Sequence, residues 1–234
     1  EYAQVYRTAE YDSDLKYVKG QFVARRALEV AVSGNHNIIL EGPPGAGKTM
    51  LAKCIPSIMP DMSFREALET TKIHSVAGKM KDTEGIVYRR PFMSPHHTAS
   101  RVSIIGGGQS AKPGVVSLAH NGVLFLDEMP EYPRSVLESL RQPLEDRVIT
   151  VTRVKANLEY PASFMLAGSM NPCPCGYYGS KDRECTCSPT QIKKYRERIS
   201  GPLLDRMDIR INVDNVKYDE LTDKTEAESS AEVR

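Results

Sequence analysis

Apolar residues along the chain alternate between helical spacing and short unbroken runs. Apolar residues at helical spacing predict a helix that contains Val23, Ala27, Val30 and Ala31. The segment Ser33-Gly34-Asn35 is expected to end it. The short runs predict buried strands at residues 37–40, 123–126 and 164–167. This alternation predicts an α/β fold of three layers, α/β/α, with helices on both faces of a parallel sheet and ligands at the carboxyl ends of its strands.

Two further patterns fall between the second and third predicted strands. Pro133 begins a helical pattern that carries Leu137, Leu140 and Leu144, and Pro143 is expected to kink or end this helix. Residues 148–154 then alternate between apolar and polar positions, and residues 156–160 can return antiparallel to them. This arrangement predicts a β-hairpin inserted just before the third strand.

The two ends of the chain lack clear periodicity. Residues 1–20 are polar and rich in tyrosine, so the folded core is expected to begin near Tyr17. Residues 214–234 carry seven acidic residues against three basic ones, which is typical of a mobile tail. The predicted organisation is an N-terminal extension at 1–17, a core at 18–213, and an acidic tail or start of a linker at 214–234.

Charge and hydropathy exclude some classes of protein. The chain has 31 Lys plus Arg against 30 Asp plus Glu, so its overall charge indicates neither a nucleic acid nor a membrane partner. Its longest apolar runs are far short of the ~20 residues that cross a bilayer. No basic start followed by an apolar stretch is found in residues 1–20. We therefore expect a soluble, cytoplasmic protein with no membrane partner.

The strongest motif is a glycine-rich segment directly after the first predicted strand, which matches the P-loop pattern G-x-x-x-x-G-K-[ST]. Its glycines let backbone N–H groups turn towards phosphate oxygens, Lys48 can bridge the β- and γ-phosphates, and Thr49 can supply a hydroxyl to Mg²⁺. The predicted nucleotide-binding residues of this segment are Gly42, Pro43, Pro44, Gly45, Ala46, Gly47, Lys48, Thr49 and Met50.

Two carboxylates, Asp127 and Glu128, end the second predicted strand. Asp127 is expected to hold Mg²⁺ directly or through water, and Glu128 is expected to polarise the attacking water. A strand that ends in solvated acids is common, but the P-loop requires a partner strand of this kind. Asn171 follows the third strand, where its amide could orient water; a turn residue before Pro172 is the alternative. Together the motifs predict a nucleoside triphosphatase that uses ATP and Mg²⁺.

With these residues placed, the chain resembles the magnesium-chelatase-like AAA+ ATPases, most closely the ComM/YifB group, over roughly residues 18–213. The residues that carry the resemblance are 18–21, 41–49, Ser94-Pro-His-His97, 117–128, Asn171-Pro-Cys-Pro-Cys-Gly176 and 200–206. It implies that Asn171 is the sensor-1 residue. It also implies that Arg206 is an arginine finger which reaches the γ-phosphate of the adjacent subunit in a ring, expected to be a hexamer. Without the resemblance, a surface salt bridge to Asp205 or Asp208 is the simpler interpretation of Arg206.

The resemblance also implies the positions of several further segments. Val18, Gly20 and Gln21 are expected to lie against the adenine, and residues 91–114 are expected to form an insertion within the second helix. The hairpin before sensor 1 is expected to line the ring pore. Full chains of this family also carry an N-terminal domain and a C-terminal lid, so we expect this chain to be an ATPase core fragment without them.

Four cysteines are concentrated in one short segment. Cys173 and Cys175 are separated by nine residues from Cys185 and Cys187. Four thiolates suffice for a closed tetrahedral zinc site, although a spacing of one residue is tighter than the usual two to four. We predict a structural zinc ion that clips the 176–184 loop beside Asn171, and the alternative is four reduced thiols in a flexible loop.

Two basic residues, Arg153 and Lys155, lie near the predicted hairpin turn. We hypothesise that they grip nucleic-acid phosphates, which would give binding that is sensitive to salt and independent of sequence. The first function hypothesis is therefore a DNA motor, a helicase or branch-migration ATPase. A protein-remodelling motor of the chelatase type is the second, and a nucleotide-dependent scaffold is the third. The cysteines and the Ser94–His97 segment favour the first.

Overall fold

The computed structural model describes residues 11–80, 85–108, 111–153, 156–180, 183–216 and 227–234. Its strands are β1 (Ile38–Glu41), β2 (Phe92–Met93), β3 (Gly106–Gly107), β4 (Lys112–Pro113), β5 (Val123–Leu126), β6 (Val148–Arg153), β7 (Ala156–Pro161), β8 (Met165–Met170) and β9 (Ile209–Asn212). Its α-helices are α1 (Phe22–Gly34), α2 (Lys48–Ile58), α3 (Phe64–Val76), α4 (Arg101–Ile105), α5 (Val115–Leu118), α6 (Arg134–Ser139), α7 (Arg141–Asp146), α8 (Pro189–Arg196), α9 (Gly201–Leu204) and α10 (Ser230–Val233).

The central sheet has five parallel strands in the order β2-β5-β8-β1-β9. Strands β1, β5 and β8 are the three predicted ones, shifted by at most one residue at their starts. Parallel pairing brings their carboxyl ends, at Glu41, Leu126 and Met170, to one edge of the sheet. That edge is where the sequence places the P-loop and the acidic residues.

Apolar side chains pack on both faces of this sheet. Ile39 and Leu124 belong to one buried cluster, which includes residues of α6 and α9. Ile38 and Phe125, their chain neighbours, belong to a second buried cluster with residues of α1 and α2. Because successive side chains of a strand point to opposite faces, the two clusters are separate layers of core. The predicted three-layer α/β/α fold is confirmed.

The helical pattern after Pro133 is divided into two helices, α6 and α7, that meet at Leu140. Pro143 has no N–H to donate to the carbonyl four residues earlier, at Ser139, where α6 ends. The helix resumes and runs to Asp146. The structure therefore shows a break one turn before Pro143, and helical structure continues past the proline. The predicted kink or end of the helix is found earlier in the chain than expected.

Helix α1 is present, but its predicted apolar face is partly wrong. Val23 is 73% exposed and Val30 is 44% exposed, whereas Ala24 and Leu28 are fully buried. The buried stripe is therefore shifted by one position from the predicted one, because α1 packs on α2 and also runs beside the edge strand β9. The helix ends at the predicted stop, with Asn35 in a left-handed conformation.

The predicted insertion at residues 91–114 is shorter than the resemblance implies. Phe92 and Met93 form β2, which pairs with Val123 and Leu124 of β5 and so belongs to the central sheet. The inserted element proper is the small β3–β4 hairpin, which lies between α4 and α5. The second predicted hairpin, β6–β7, pairs Val148 with Pro161 at one end and Arg153 with Ala156 at the other. Lys155 and the side chain of Arg153 lie outside the described residues.

The two ends of the described chain pack together, which corrects two predictions. Leu15 is fully buried, so the core begins before Tyr17. Ser230 is 3% exposed, and its hydroxyl accepts the Leu15 N–H at 2.8 Å and lies 2.7 Å from the Ser57 hydroxyl of α2. The predicted mobility of the tail is therefore wrong for residues 227–234. Within the described residues, no helix is both long and apolar enough to cross a membrane.

Candidate nucleotide site

The P-loop connects the end of β1 to the start of α2, as predicted. Gly45 and Gly47 have φ angles of 80° and 85°, which side-chain-bearing residues rarely adopt. A Cβ atom on Gly42 would lie 2.0 Å from the carbonyl oxygen of Val213, just after β9. Glycine is therefore required at these positions by backbone conformation and by close packing. The loop is seated against the strands on either side of it.

Lys48 is the first residue of α2 and is 9% exposed. Its ammonium donates to the carbonyl oxygens of Gly42 at 2.7 Å and Pro43 at 2.8 Å, and to Asn171 Oδ1 at 3.2 Å. Burial lowers the pKa of this ammonium, and the charges of Asp127 and Glu128 oppose that shift. The structure thus brings together Lys48 and Asn171, which are 123 residues apart in sequence. A charged donor held by neutral carbonyl groups can exchange them for phosphate oxygens, because the negative charge of a phosphate adds a Coulombic attraction that a neutral carbonyl group lacks.

Asp127 receives hydrogen bonds from two hydroxyl groups. Thr49 Oγ1 donates to its Oδ2 atom across 3.0 Å, so the two predicted Mg²⁺ ligands are in direct contact. Ser169 Oγ donates to the Oδ1 atom across 2.5 Å. Ser169 was not predicted from the sequence. The signal available in the sequence was one polar residue near the end of an otherwise apolar strand, two positions before Asn171.

Glu128 follows Asp127 in a left-handed backbone conformation, with φ 52° and ψ 50°. Its N–H donates to Ser169 Oγ across 2.9 Å, and its side chain is exposed. A residue with a side chain held in this region carries strain of about 1–3 kcal/mol, and such strain concentrates at functional sites. The carboxylates of Glu128 and Asp127 both act on the Lys48 ammonium, whose pKa they raise against the effect of burial. This geometry is compatible with Glu128 acting on water rather than holding a metal.

A cavity of about 300 Å³ adjoins the P-loop. The residues that line it include Val18, Gln21, Gly47 and Met50. Gln21 Nε2 donates to the Ala46 carbonyl at 3.2 Å, which ties this segment to the P-loop. Gly20 is not among the lining residues, so the structure brings two of the three predicted adenine contacts to the cavity.

Arg206 follows α9 and forms an ion pair with Glu145, near the end of α7. The predicted alternative, a salt bridge, is therefore present, but its partner is Glu145 and not Asp205 or Asp208. The Arg206 Nε atom is buried and has no hydrogen-bond partner among the described residues. Within the same part of the chain, no hydrogen bond of Arg206 reaches the P-loop.

The four clustered cysteines do come together. Their sulfur atoms all lie within 4.8 Å of one another, and Cys173 Sγ lies 3.3 Å from Cys175 Sγ and 3.7 Å from Cys185 Sγ. Backbone N–H groups point at the sulfurs, from Tyr178 to Cys173 at 3.3 Å among others. Hydrogen bonds, first among them that of the Tyr177 N–H, lower the pKa of the Cys175 thiol to about 5, whereas desolvation and the neighbouring sulfurs raise the pKa values of the Cys185 and Cys187 thiols. Sulfurs at these distances, surrounded by N–H donors, match the donor set of a tetrahedral metal site.

A comparison with protein families decides where the chain belongs. The family model described as magnesium chelatase, subunit ChlI, matches residues 14–221. The chain belongs to this magnesium chelatase family. It is 46% identical over 200 residues to the uncharacterized protein YifB of Escherichia coli, covering 86% of this chain and 39% of that protein. It is 45% identical over 223 residues to the competence protein ComM of Haemophilus influenzae, covering 94% of this chain and 43% of that protein.

The chain spans less than half the length of these two relatives. Among solved structures, NtrX of Brucella abortus in complex with ATP is similar with a TM-score of 0.52 and 19% sequence identity. The match covers 91% of this chain and 40% of NtrX. At that identity the likeness concerns the fold alone, and it agrees with a core built on a parallel α/β sheet.

Proposed function

We propose that the chain is the ATP-binding and hydrolysing core of a ring-forming AAA+ motor that acts on DNA, with residues 18–213 as its large subdomain. The observation that carries the proposal is the convergence of four predicted residues at one sheet edge. Lys48 contacts Asn171 at 3.2 Å, and Thr49 contacts Asp127 at 3.0 Å. These contacts join a P-loop, an acidic strand end and a polar strand end, which hydrolysis of a nucleoside triphosphate requires together.

The residues present fit ATP and a magnesium ion. A Cβ at Gly45 would meet nothing within 4 Å, so the space beside this glycine of the loop is open. Thr49 and Asp127 would hold Mg²⁺, which, when bound, neutralises charge on the phosphate oxygens. Lys48 would bind phosphate oxygens, Glu128 would accept a proton from water, and Asn171 would orient that water. The remaining P-loop residues, with Val18 and Gln21, would hold the nucleotide.

The ring is proposed from Arg206. Its Nε atom is buried and without a partner in the described part of the chain, and its one ion pair is with Glu145. A guanidinium so placed is suited to the transferred phosphoryl group of a neighbouring subunit, because it cannot lose its charge and can donate in a fork. Self-association, as a hexamer, is therefore part of the proposal.

DNA is proposed as the substrate because the sequence has two basic residues, Arg153 and Lys155, at the connection between β6 and β7. The name of one relative, a competence protein, is in keeping with such a role. Family membership favours a second candidate, a protein-remodelling motor of the chelatase type. A scaffold that binds ATP without turnover is disfavoured, because it would not need Glu128 and Asn171 in these positions.

The test is ATP hydrolysis by the full protein alone, with single-stranded DNA and with branched DNA, using Glu128→Gln as the control. Stimulation by DNA that is absent in the control supports the DNA motor. Hydrolysis that is indifferent to both DNAs favours the chelatase-type remodeller instead. Hydrolysis no faster than that of the control overturns the proposed ATPase and leaves the scaffold.

We also propose that Cys173, Cys175, Cys185 and Cys187 hold a structural zinc ion. All four protein positions would be occupied, so the metal would have no open position for catalysis. The test is the metal content of freshly reduced protein. One zinc ion per chain supports the proposal, whereas no stoichiometric zinc would leave four thiols in a loop.

A further inference from the structure

We infer that the metal-bound cysteine cluster is a control element of the ATP site, because it joins two chain segments that each contact the P-loop. We call residues 173–180 and 183–187 the cysteine knuckle. The inference rests on the proposed nucleotide function and on the proposed zinc ion. It adds that zinc occupancy sets how tightly the site holds ATP.

The first segment of the knuckle packs directly on the P-loop. Gly176, one residue after Cys175, is buried with φ 89°, and a Cβ there would lie 2.6 Å from Pro44 Cδ. The same position would be 3.9 Å from the side chain of Asn171. Asn171, two residues before Cys173, accepts the Lys48 hydrogen bond. Any displacement of Cys173 or Cys175 therefore moves both a wall of the P-loop and the partner of its lysine.

The second segment reaches the P-loop through α8. Ser188, directly after Cys187, caps this helix by accepting the N–H of Gln191. At the other end of α8, Arg196 donates to the Pro172 carbonyl at 3.3 Å and to Glu41 Oε1 at 2.9 Å. Glu41 is the last residue of β1, immediately before Gly42. The second cysteine pair is thus connected to the base of the P-loop by one short helix.

The metal is what holds these two segments together. Four sulfurs that all lie within 4.8 Å of one another can share one cation, which then links the first cysteine pair to the second. Closing the nine-residue gap between Cys175 and Cys185 also costs chain entropy that metal binding offsets. Loss of zinc would release the second pair from the first. The contacts of Gly176 and Arg196 with the P-loop region would then loosen together.

The experiment compares three variants of the full chain for zinc content and for affinity towards a fluorescent ATP analogue with Mg²⁺. Cys185→Ser/Cys187→Ser is expected to lose zinc and to bind the analogue roughly tenfold more weakly, the effect of losing one charge-assisted hydrogen bond. The matched control is Cys54→Ala, which changes a buried cysteine outside the knuckle. It is expected to keep both its zinc and its affinity for the analogue. Gly176→Ala keeps all four thiols, so it is expected to retain zinc yet lose affinity through its contact with Pro44.

A second measurement covers the case in which the double variant does not fold. Wild-type protein is treated with a zinc-selective chelator under reducing conditions in excess Mg²⁺, and zinc is then added back. Affinity that falls on chelation and returns with zinc supports the inference. Unchanged affinity in folded, zinc-free protein overturns it. If wild-type protein binds the nucleotide but contains no zinc, the inference is overturned and the proposed ATP site stands. If it binds zinc but no nucleotide, the proposed function is overturned together with the inference.

Discussion

The Ser169 hydroxyl lies 2.5 Å from a carboxylate oxygen of Asp127 and accepts the N–H of Glu128 at 2.9 Å. One side chain on β8 therefore fixes two consecutive acidic residues that follow the neighbouring strand β5. The hydroxyl leaves the second carboxylate oxygen of Asp127 to Thr49. It also satisfies the backbone N–H exposed by the left-handed turn at Glu128.

Ser169→Ala is expected to slow ATP hydrolysis by about tenfold to a hundredfold, the usual effect of removing a side chain that orients a metal ligand. The measurement is steady-state turnover at saturating Mg²⁺ and ATP. Ser117→Ala is the matched control, because the Ser117 hydroxyl is buried without a hydrogen-bond partner among the described residues. The control is expected to turn over ATP like the wild type. Equal turnover in the two variants would contradict the role of Ser169.

Lys48 is expected to make the stability of the chain depend on pH. Burial lowers the pKa of its ammonium below the ordinary 10.5. Between the lowered value and 10.5 the unfolded chain binds more protons, so stability rises with pH across this window and is lost as pH falls. Lys48→Met should remove that contribution. The check is the difference in free energy of urea unfolding between the two proteins as the pH is raised from neutral to 10.5. A difference that does not vary with pH would contradict the prediction.

The elements predicted well from the sequence are those with strong local signals. The glycines of the P-loop and the apolar run before Asp127 carry their conformation in a few adjacent residues. Strand β2 is only two residues long, so periodicity could not reveal it. The face of α1 was shifted because α1 also packs beside β9, and a single-helix pattern does not contain that contact.

Single residues of the candidate site could be predicted from the sequence, but the side-chain contacts between distant residues could not. Lys48, Asp127 and Asn171 were each identified from a motif or a strand end. Ser169 was missed because its importance lies in a cross-strand contact, which depends on β8 pairing with β5. The pairing of Arg206 with Glu145 was missed for the same reason, since it joins residues 61 positions apart.

Arg206→Ala is expected to bind ATP normally and to hydrolyse it about a thousandfold more slowly, as for loss of an arginine finger. Because Arg206 makes no hydrogen bond to its own P-loop among the described residues, affinity and turnover should separate. The readouts are analogue affinity and hydrolysis by the assembled protein. Arg210→Ala is the control, an exposed arginine that donates to the Leu204 carbonyl. Loss of affinity in Arg206→Ala, or wild-type turnover, would count against the finger.

The double variant Arg153→Ala/Lys155→Ala is expected to bind single-stranded DNA more weakly. Removing two phosphate contacts should reduce the slope of log affinity against log salt concentration by about 1.4. The control is Lys53→Ala/Arg65→Ala, which removes two exposed positive charges from other elements. Titration of assembled protein at several salt concentrations gives the slopes. An unchanged slope in the hairpin variant would place the DNA contacts elsewhere.

The most direct test of ATP hydrolysis at this site is the identity of the nucleotide that the protein retains. Wild-type protein and Glu128→Gln are incubated with excess ATP and Mg²⁺, desalted rapidly, and their bound nucleotide is separated by chromatography. We predict ADP on the wild type and ATP on the variant, because Glu128 acts on water and not on binding. The same nucleotide on both proteins, or none on the wild type, would contradict the account.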